Sequence, residues 1–460
     1  MRKNYRSVIR LVCVGILLVA SGIVLVRKGV IPRFWERSAP VEQPMDVTEQ
    51  PKAADDQKPQ ESQEPQAEKP ELQTEKPQET QQQGDGKGDG TKKPDADKEP
   101  EAQKKPQETP AERLEAYLKQ DPRTPTEAKG IFVTGAVAGT ENTMPALVKL
   151  VEQTELNAMV IDIKNDTGEV TYKMKLPLSE EIGAEVRYVA DMPGLIRHLK
   201  AKGIYLIARI VAFKDPILAE KKPEYAVKNA DGSVFYDNQD QAWVNPYREE
   251  VWDYLIDLSK KAVELGFDEI QYDYIRFSTA EGIGEADFGR EAKGTTRQEA
   301  INGFLTKAYE TLAPMGAYVS ADVFGTIICN EADGRLIGQD YAQMAKHCDY
   351  ICPMVYPSHY VNDAYGIRVP DAEPYDLIYA AVADGEKLLQ EAREAEPDVH
   401  IARQRPWLQA FTATWVDGHI SYRGKQLQDQ VRGAEAAGVG EWLLWNASND
   451  YDNVKKGLRK

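Results

Sequence analysis

The sequence predicts an α/β fold, a (β/α)8 TIM barrel filling residues 111–460, on three observations. Eight short runs rich in β-branched and aromatic residues recur at intervals long enough to hold a helix. The intervening stretches carry helical apolar spacing, and two end in glycine (Gly203, Gly266), as helices that return to a parallel strand commonly do. The fourth run, FDEIQYDYIRF (267–277), carries a carboxylate, Asp273, late in an otherwise apolar strand. In a barrel of this kind the C-terminal strand ends are where chemistry is done.

The strands are expected, in order, at GIFVTGAVA (130–138), AMVIDIKN (158–165), IYLIARIVAF (204–213) and EIQYDYIRF (269–277). The second half supplies AYVSADVFG (317–325), YICPMVYP (350–357), VHIARQRPWLQAF (399–411) and EWLLWNA (441–447). Pro406 lacks a backbone N–H and marks a break or bulge in the seventh. Helices are expected at MPALVKLVEQTE, MPGLIRHLKAKG, REEVWDYLIDLSKKAVELG, QEAINGFLTKAYETLAP, YDLIYAAVADGEKLLQEAREA and KQLQDQVRGAEAAG. Eight strands favour a closed barrel over an open doubly wound sheet. TGAVAGT after the first strand lacks the G-x-G-x-x-G spacing of a dinucleotide loop. The longest inserts follow strands three and four and would lie on one rim.

Ahead of the barrel the composition changes twice. Arg2, Lys3, Arg6 and Arg10 precede an apolar run at 11–26, which Arg27 and Lys28 close. Residues 1–30 therefore read as a membrane anchor, with a cleaved signal segment as the alternative. The charge order keeps the short N-terminus cytoplasmic and exports the rest. Residues 31–110 are dominated by Pro, Glu, Gln and Lys, with too little apolar surface to offset ordering entropy, and are expected to be a disordered linker. The globular domain would thus be tethered outside the cytoplasm, or secreted if the leader is cut.

The net charge of -17 argues against nucleic acid as a partner, because phosphate binding requires a basic face. Of the four cysteines, Cys329, Cys348 and Cys352 fall in the globular part at no zinc-like spacing, and packing is the expected role of Cys348 and Cys352. Only five histidines occur, without H-E-x-x-H, and G-x-S-x-G is absent. No metal site, cofactor or serine-hydrolase triad is expected.

Side chains alternate along a strand, so parity identifies a face. Asp162 on strand two, Gln271 and Asp273 on strand four, and Ser320 and Asp322 on strand five each oppose an apolar set. Three acids, Asp162, Asp273 and Asp322, are therefore expected to converge above one lumen. Lys164, Arg209 and Arg276 are the bases that could pair with them. Paired carboxyls are what glycoside hydrolysis needs, one as proton donor and the other as nucleophile or base. Sugar sites also use aromatic platforms and planar amides. Trp243, Asn245, Tyr356, His359, Gln409, Trp415 and Trp445 are placed late in strands or in loops where they could serve.

The segments GIFVTG, VIDIKNDTGEV, IARIVAFKDP, WVNPYREEVWDY, FDEIQYDYIRF, SADVFG and PMVYPSHY, running over most of 130–447, resemble a family of predicted glycoside hydrolases of bacterial envelopes, domain of unknown function number 4015. The resemblance implies a barrel and a sugar-cleaving activity. Two other families are partly similar. The alpha-amylase family has its nucleophilic aspartate on strand four and its acid on strand five, the places of Asp273 and Asp322. Its arginine before the nucleophile is Gln271 here, and its strand-five glutamate is an aspartate. Family 18 chitinases resemble the frame around strand four through Asp268 and Asp273. Their middle and final acids are Gln271 and Ile275 here, so their mechanism is not implied.

The expectation is a glycosidase acting on a polysaccharide or oligosaccharide. Asp273 would be nucleophile or base, Asp322 proton donor, and Asp162 an orienting acid, with Arg209, Trp243, Asn245, Tyr356, Gln409 and Trp445 lining the cleft. The departures at Gln271 and Ile275 keep open a non-catalytic carbohydrate-binding or scaffold protein on a degenerate barrel.

Overall fold

A computed structural model of the chain describes residues 121–460. The expected anchor (1–30) and linker (31–110) lie outside the described residues. Among the described residues, no helix is long and apolar enough to cross a membrane.

The apolar runs become strands β1 (Lys129–Val133), β2 (Ala158–Lys164), β3 (Tyr205–Val211), β4 (Glu269–Asp273), β5 (Tyr318–Phe324) and β6 (Tyr350–Met354). Two short strands, β7 (Arg403–Gln404) and β8 (Trp407–Gln409), share the seventh stave, and β9 (Trp442–Trp445) is the eighth. All pair in parallel in chain order. The β8–β9 and β9–β1 pairings close the ring. Pro406 cannot donate to the ladder, and the seventh stave breaks there: β6 pairs first with β7 and then, past the interruption, with β8.

Each strand is shorter than the apolar run that predicts it. After β1, Thr134 caps a short helix, Gly135–Ala138. After β4, Tyr274 takes φ 48°, a left-handed conformation that ends the strand at Asp273 rather than at Phe277. The helices fall where the periodicity places them: Thr143–Glu152, Met192–Ala201, Glu249–Leu265, Arg297–Leu312, Pro374–Ala395 and Gly424–Ala436. Their ends follow local chemistry. Asp191 caps the second by accepting from the Gly194 amide, and Thr296 and Glu299 form a capping box on the fourth. Gly266 ends the third in the left-handed region at φ 110°. Between β5 and β6, where no helix is expected, the chain makes two short ones, Glu331–Ile337 and Tyr341–Met344.

Parity divides the core as predicted. The outward set, such as Ile131, Ile161, Leu206, Ile270 and Val323, packs under the helices in one large cluster. The inward set makes a separate lumen cluster that includes Phe132, Val160, Tyr205, Ile207, Tyr350, Cys352, Tyr356, Trp407 and Leu443. At the N-terminal end of the lumen, Glu269 accepts hydrogen bonds from Tyr205 (3.0 Å), Ser320 (2.6 Å) and Arg405 (2.9 Å). Arg405 also pairs with Glu441 at 3.0 Å. Arg123 covers this end, lying 4.2 Å over the Tyr318 ring and bonding Asp349. Ionic groups thus seal the N-terminal mouth, and the remaining inward polar groups rise toward the C-terminal one. Cys329, Cys348 and Cys352 are all free thiols, the last two buried.

Candidate functional site

Late inward positions of four neighbouring strands are polar: Asp162 on β2, Arg209 on β3, Asp273 on β4 and Asp322 on β5. The ladder sets Asp162 opposite Arg209, and sets Val211, two residues further along β3, opposite Asp273. The Arg209 side chain therefore reaches forward between two acids. Its Nη1 lies 2.5 Å from Asp162 Oδ1, while Nε (3.0 Å) and Nη2 (2.6 Å) both meet Asp273 Oδ2. The second oxygen of Asp273 accepts from the Tyr274 backbone N–H at 2.6 Å, a contact made possible by the left-handed turn at Tyr274. Asp273 is thereby held by both oxygens.

Asp322 makes a different bond. Its Oδ1 accepts from the Trp407 indole N–H at 2.7 Å, across the lumen from β8. Burial, and after it the negative charge of Asp273, pushes the Asp322 carboxyl well above the ordinary aspartate range; the Trp407 bond and Arg209 act the other way. Burial also raises Asp162, to about 6, against the opposing pull of Arg209. Arg209 itself is raised well above its ordinary value, because the charges of Asp162 and Asp273 outweigh its desolvation. Two neighbouring acids thus differ in kind: Asp273 is ion-paired and Asp322 favours its protonated form.

Aromatic rings form the walls. Trp445 stacks on Phe132 at 4.2 Å and meets Trp407 edge-on at 5.6 Å. The Arg209 guanidinium lies 5.3 Å from both the Phe132 and Trp445 rings. Tyr356 packs edge-on against exposed His359 (5.1 Å) and against Phe411 (5.9 Å). Phe411 stacks with Trp415, which is 60 % exposed. This row of rings leads from solvent toward the acids.

The expected partners divide clearly. Of the three bases, Arg209 alone pairs with the acids. A bulge between Asp162 and Lys164 turns Lys164 away from the lumen, against the expectation from simple alternation, and Lys164 pairs with Asp215 at 3.0 Å, both fully buried. Arg276 pairs with no carboxylate among the described residues and lies against Trp243, Tyr274 and Phe324. Asp268, which fits the chitinase-like frame, is at the other end of β4, bound to Lys200 and the Leu206 amide.

Two expected cleft residues have their amide groups occupied elsewhere. Asn245 donates to the Phe288 carbonyl and accepts from the Tyr247 amide. Gln409 donates to Asp371 and the Phe411 carbonyl and accepts from the Ser358 amide. Through these bonds both brace loops. Trp243 binds Asp237 through its indole N–H and reaches the acids only through Tyr274 and Arg276. Sequence reasoning missed Trp407, which looks like any buried aromatic, and Asp166, half-exposed beside Lys214 and close enough to raise Asp162.

The mouth is narrow. Asp162, Asp273 and Asp322 retain 4, 5 and 2 % exposure. Exposure this small admits water but not a sugar ring, so engaging a glycosidic bond requires rim side chains to part. Two surface cavities lie elsewhere. One, of about 280 Å³, is beside Tyr375 and Arg432, and another, of about 260 Å³, is beside Arg403 and Glu441 at the N-terminal end.

Several known proteins are similar. A crystal structure of a hypothetical protein from Ruminiclostridium thermocellum ATCC 27405 is 40 % identical, over 42 % of this chain and 97 % of that one, with a TM-score of 0.39. The PgaB (BpsB) glycoside hydrolase domain from Bordetella bronchiseptica is 12 % identical, over 73 % of this chain and 99 % of that one, with a TM-score of 0.53. An alpha-galactosidase from Thermus thermophilus is 13 % identical, over 75 % of this chain and 64 % of that one, with a TM-score of 0.43. At such identity the PgaB likeness speaks to the fold alone. No curated protein matches the chain significantly. Residues 130–451 match the family described as "Putative glycosyl hydrolase domain". That match runs from the first barrel strand to beyond the last and takes in Asp162, Asp273 and Asp322, and the chain belongs to this glycosyl hydrolase family.

Proposed function

We propose that the protein is a glycosidase that cleaves a cell-envelope or extracellular polysaccharide. Asp322 donates a proton to the leaving oxygen, Asp273 acts as nucleophile or base, and Asp162 fixes Arg209 and through it Asp273. The observation that carries this reading is the difference between two neighbouring carboxyls. Asp273 is ion-paired to Arg209, while burial and the charge of Asp273 favour the protonated form of Asp322. A bond-cleaving pair needs one acid with its proton and one without, and environments that push two carboxyls apart supply that split.

Trp445 and Tyr356 stand where a sugar next to the acids would meet them, and Phe411 and Trp415 extend that aromatic surface outward. Stacked rings suit sugars because the C–H faces of a pyranose bury apolar area while its hydroxyls stay solvated. The apolar run at 11–26 and the polar tract after it supply a reason, from sequence alone, to place the barrel outside the cytoplasm on a membrane tether.

The narrow mouth and the presence of Gln271 and Ile275 in place of acids favour a second reading, in which the barrel binds glycan without cleaving it. One experiment separates them. The protein, Asp273→Asn and Asp322→Asn are incubated with envelope polysaccharides, and both released reducing ends and binding are measured. A glycosidase gives turnover in the parent, reduced about 10²–10⁴-fold in Asp322→Asn if proton donation is lost. Binding that survives both substitutions, with no turnover in the parent, establishes the second reading.

A further inference from the structure

Three arginines are buried among the described residues: Arg209, Arg276 and Arg405. Arg209 is bound by Asp162 and Asp273, and Arg405 by Glu269 and Glu441. Arg276 has no such partner. It is 8 % exposed, and its one hydrogen bond among the described residues runs from Nη1 to the Phe277 carbonyl at 2.9 Å. A guanidinium offers five N–H donors and keeps its charge in proteins. Here Nε and Nη2 donate to no protein atom among the described residues. Three ring faces partly compensate the desolvated charge: Phe324 at 4.6 Å, Trp243 at 5.0 Å and Tyr274 at 5.1 Å. Rings can neither accept the in-plane N–H groups nor neutralise the charge, so the fork remains open to an anion.

Its position indicates which anion. Tyr274 directly follows Asp273, and Phe324 lies two residues beyond Asp322 on the same face of β5. Arg276 therefore stands at the rim above both acids. A second cation flanks the same ring: Lys214 Nζ lies 5.2 Å from the Tyr274 centroid, and its carboxylate contact is a 3.4 Å approach to half-exposed Asp166. Two cations are thus gathered at one rim of the site, with Asp166, Asp237 and Asp273 as the acids around them, and the Arg276 fork is bonded to none of these.

We propose that Arg276, assisted by Lys214, binds an acidic substituent of the glycan, a sugar carboxylate or an ester sulfate, in the subsite beside Asp273 and Asp322. The proposal rests on the reading above only in taking the ligand to be a glycan; it does not require cleavage. Arg276 is then a specificity-determining residue, its open fork matched to the two oxygens of a carboxylate.

The test uses the full-length protein and matched ligands. Hyaluronan and polygalacturonate are compared with their carboxyl-reduced forms, which keep the linkages and lose the charge, and chondroitin with chondroitin sulfate. Affinity is measured for each, and turnover wherever it occurs. The expected result is about tenfold tighter binding of an acidic polymer than of its neutral counterpart, the worth of one charge-assisted bidentate contact. Arg276→Gln should erase most of that preference and Arg276→Lys should keep part of it. Melting curves identify variants that do not fold, and the comparison of ligands on the parent protein stands without them. The carboxyl-reduced and desulfated arms show which acidic group is recognised. Equal binding of acidic and neutral forms overturns the proposal, as does a preference that Arg276→Gln leaves intact or a failure to bind every acidic polymer. An acidic preference without any turnover would instead overturn the glycosidase reading and leave this one standing.

Discussion

Replacing Arg209 with methionine tests the arrangement of charges in the lumen. In the parent, one guanidinium, 3 % exposed, holds Asp162 and Asp273 through three N–H···O contacts of 2.5, 3.0 and 2.6 Å. Methionine fills similar space and removes the only cation among these strand-end groups. Two buried carboxyls then face each other uncompensated. Breaking a buried ion pair from one side costs about 3–5 kcal/mol, and that is the loss expected at neutral pH. Its pH dependence is more diagnostic. Asp162 already stands at about 6 against an ordinary 3.8, a shift worth about 3 kcal/mol. Between these values the folded chain binds more protons than the unfolded one, so this contribution weakens folding as pH rises through the window. Without Arg209 the attraction that lowers Asp162 is gone, and the window moves upward and deepens. Urea unfolding of parent and variant across the acid-to-neutral range measures it. The variant's deficit should be largest at neutral pH and shrink toward acid, as protonation removes the repulsion. A deficit below about 1 kcal/mol at neutral pH, or one that grows toward acid, would refute the assigned charges.

Further outcomes follow from the same geometry. Trp407→Phe removes the indole N–H that favours the charged form of Asp322, so the Asp322 carboxyl should rise further and the alkaline limb of the kcat/KM profile should move to higher pH. An unmoved limb would mean that Asp322 is not the acid. Trp415→Ala removes a ring that is 60 % exposed, so stability should stay within about 0.5 kcal/mol while affinity for long oligosaccharides falls several-fold. Isothermal titration with short and long ligands reads the difference, and equal losses for both would place Trp415 outside an extended cleft.

Much of the architecture was legible because parallel strands buried on both faces read as apolar runs, and because alternation places an isolated polar residue on a known side. Asp162, Asp273 and Asp322 each interrupt an apolar strand, and that pattern survives in one dimension. What alternation cannot express is a change of period. The bulge before Lys164 sent that residue to Asp215, and the left-handed Tyr274 ended β4 early. Contacts across the barrel are equally invisible. Trp407 lies 85 residues from Asp322 and carries no mark of its hydrogen bond. Asn245 and Gln409 are ambiguous in sequence for another reason: an amide late in a strand or in a loop suits a sugar hydroxyl, but it suits an unpaired loop backbone, which both bond here, equally well. The strand-seven region shows a partial success, since Pro406 foretold the break but not that Arg405 beside it would bind Glu269 and Glu441.

The division of roles between Asp273 and Asp322 depends most on one proton. Infrared difference spectra between the protein and Asp322→Asn, recorded across pH, isolate the carbonyl stretch of that single carboxylic acid. The band should persist well above the pH at which an ordinary aspartate, near 3.9, has lost its proton, and should titrate at lower pH in Asp273→Asn, where the neighbouring negative charge is gone. A band lost in the ordinary aspartate range, or one indifferent to Asp273, would contradict the division of roles between the two acids.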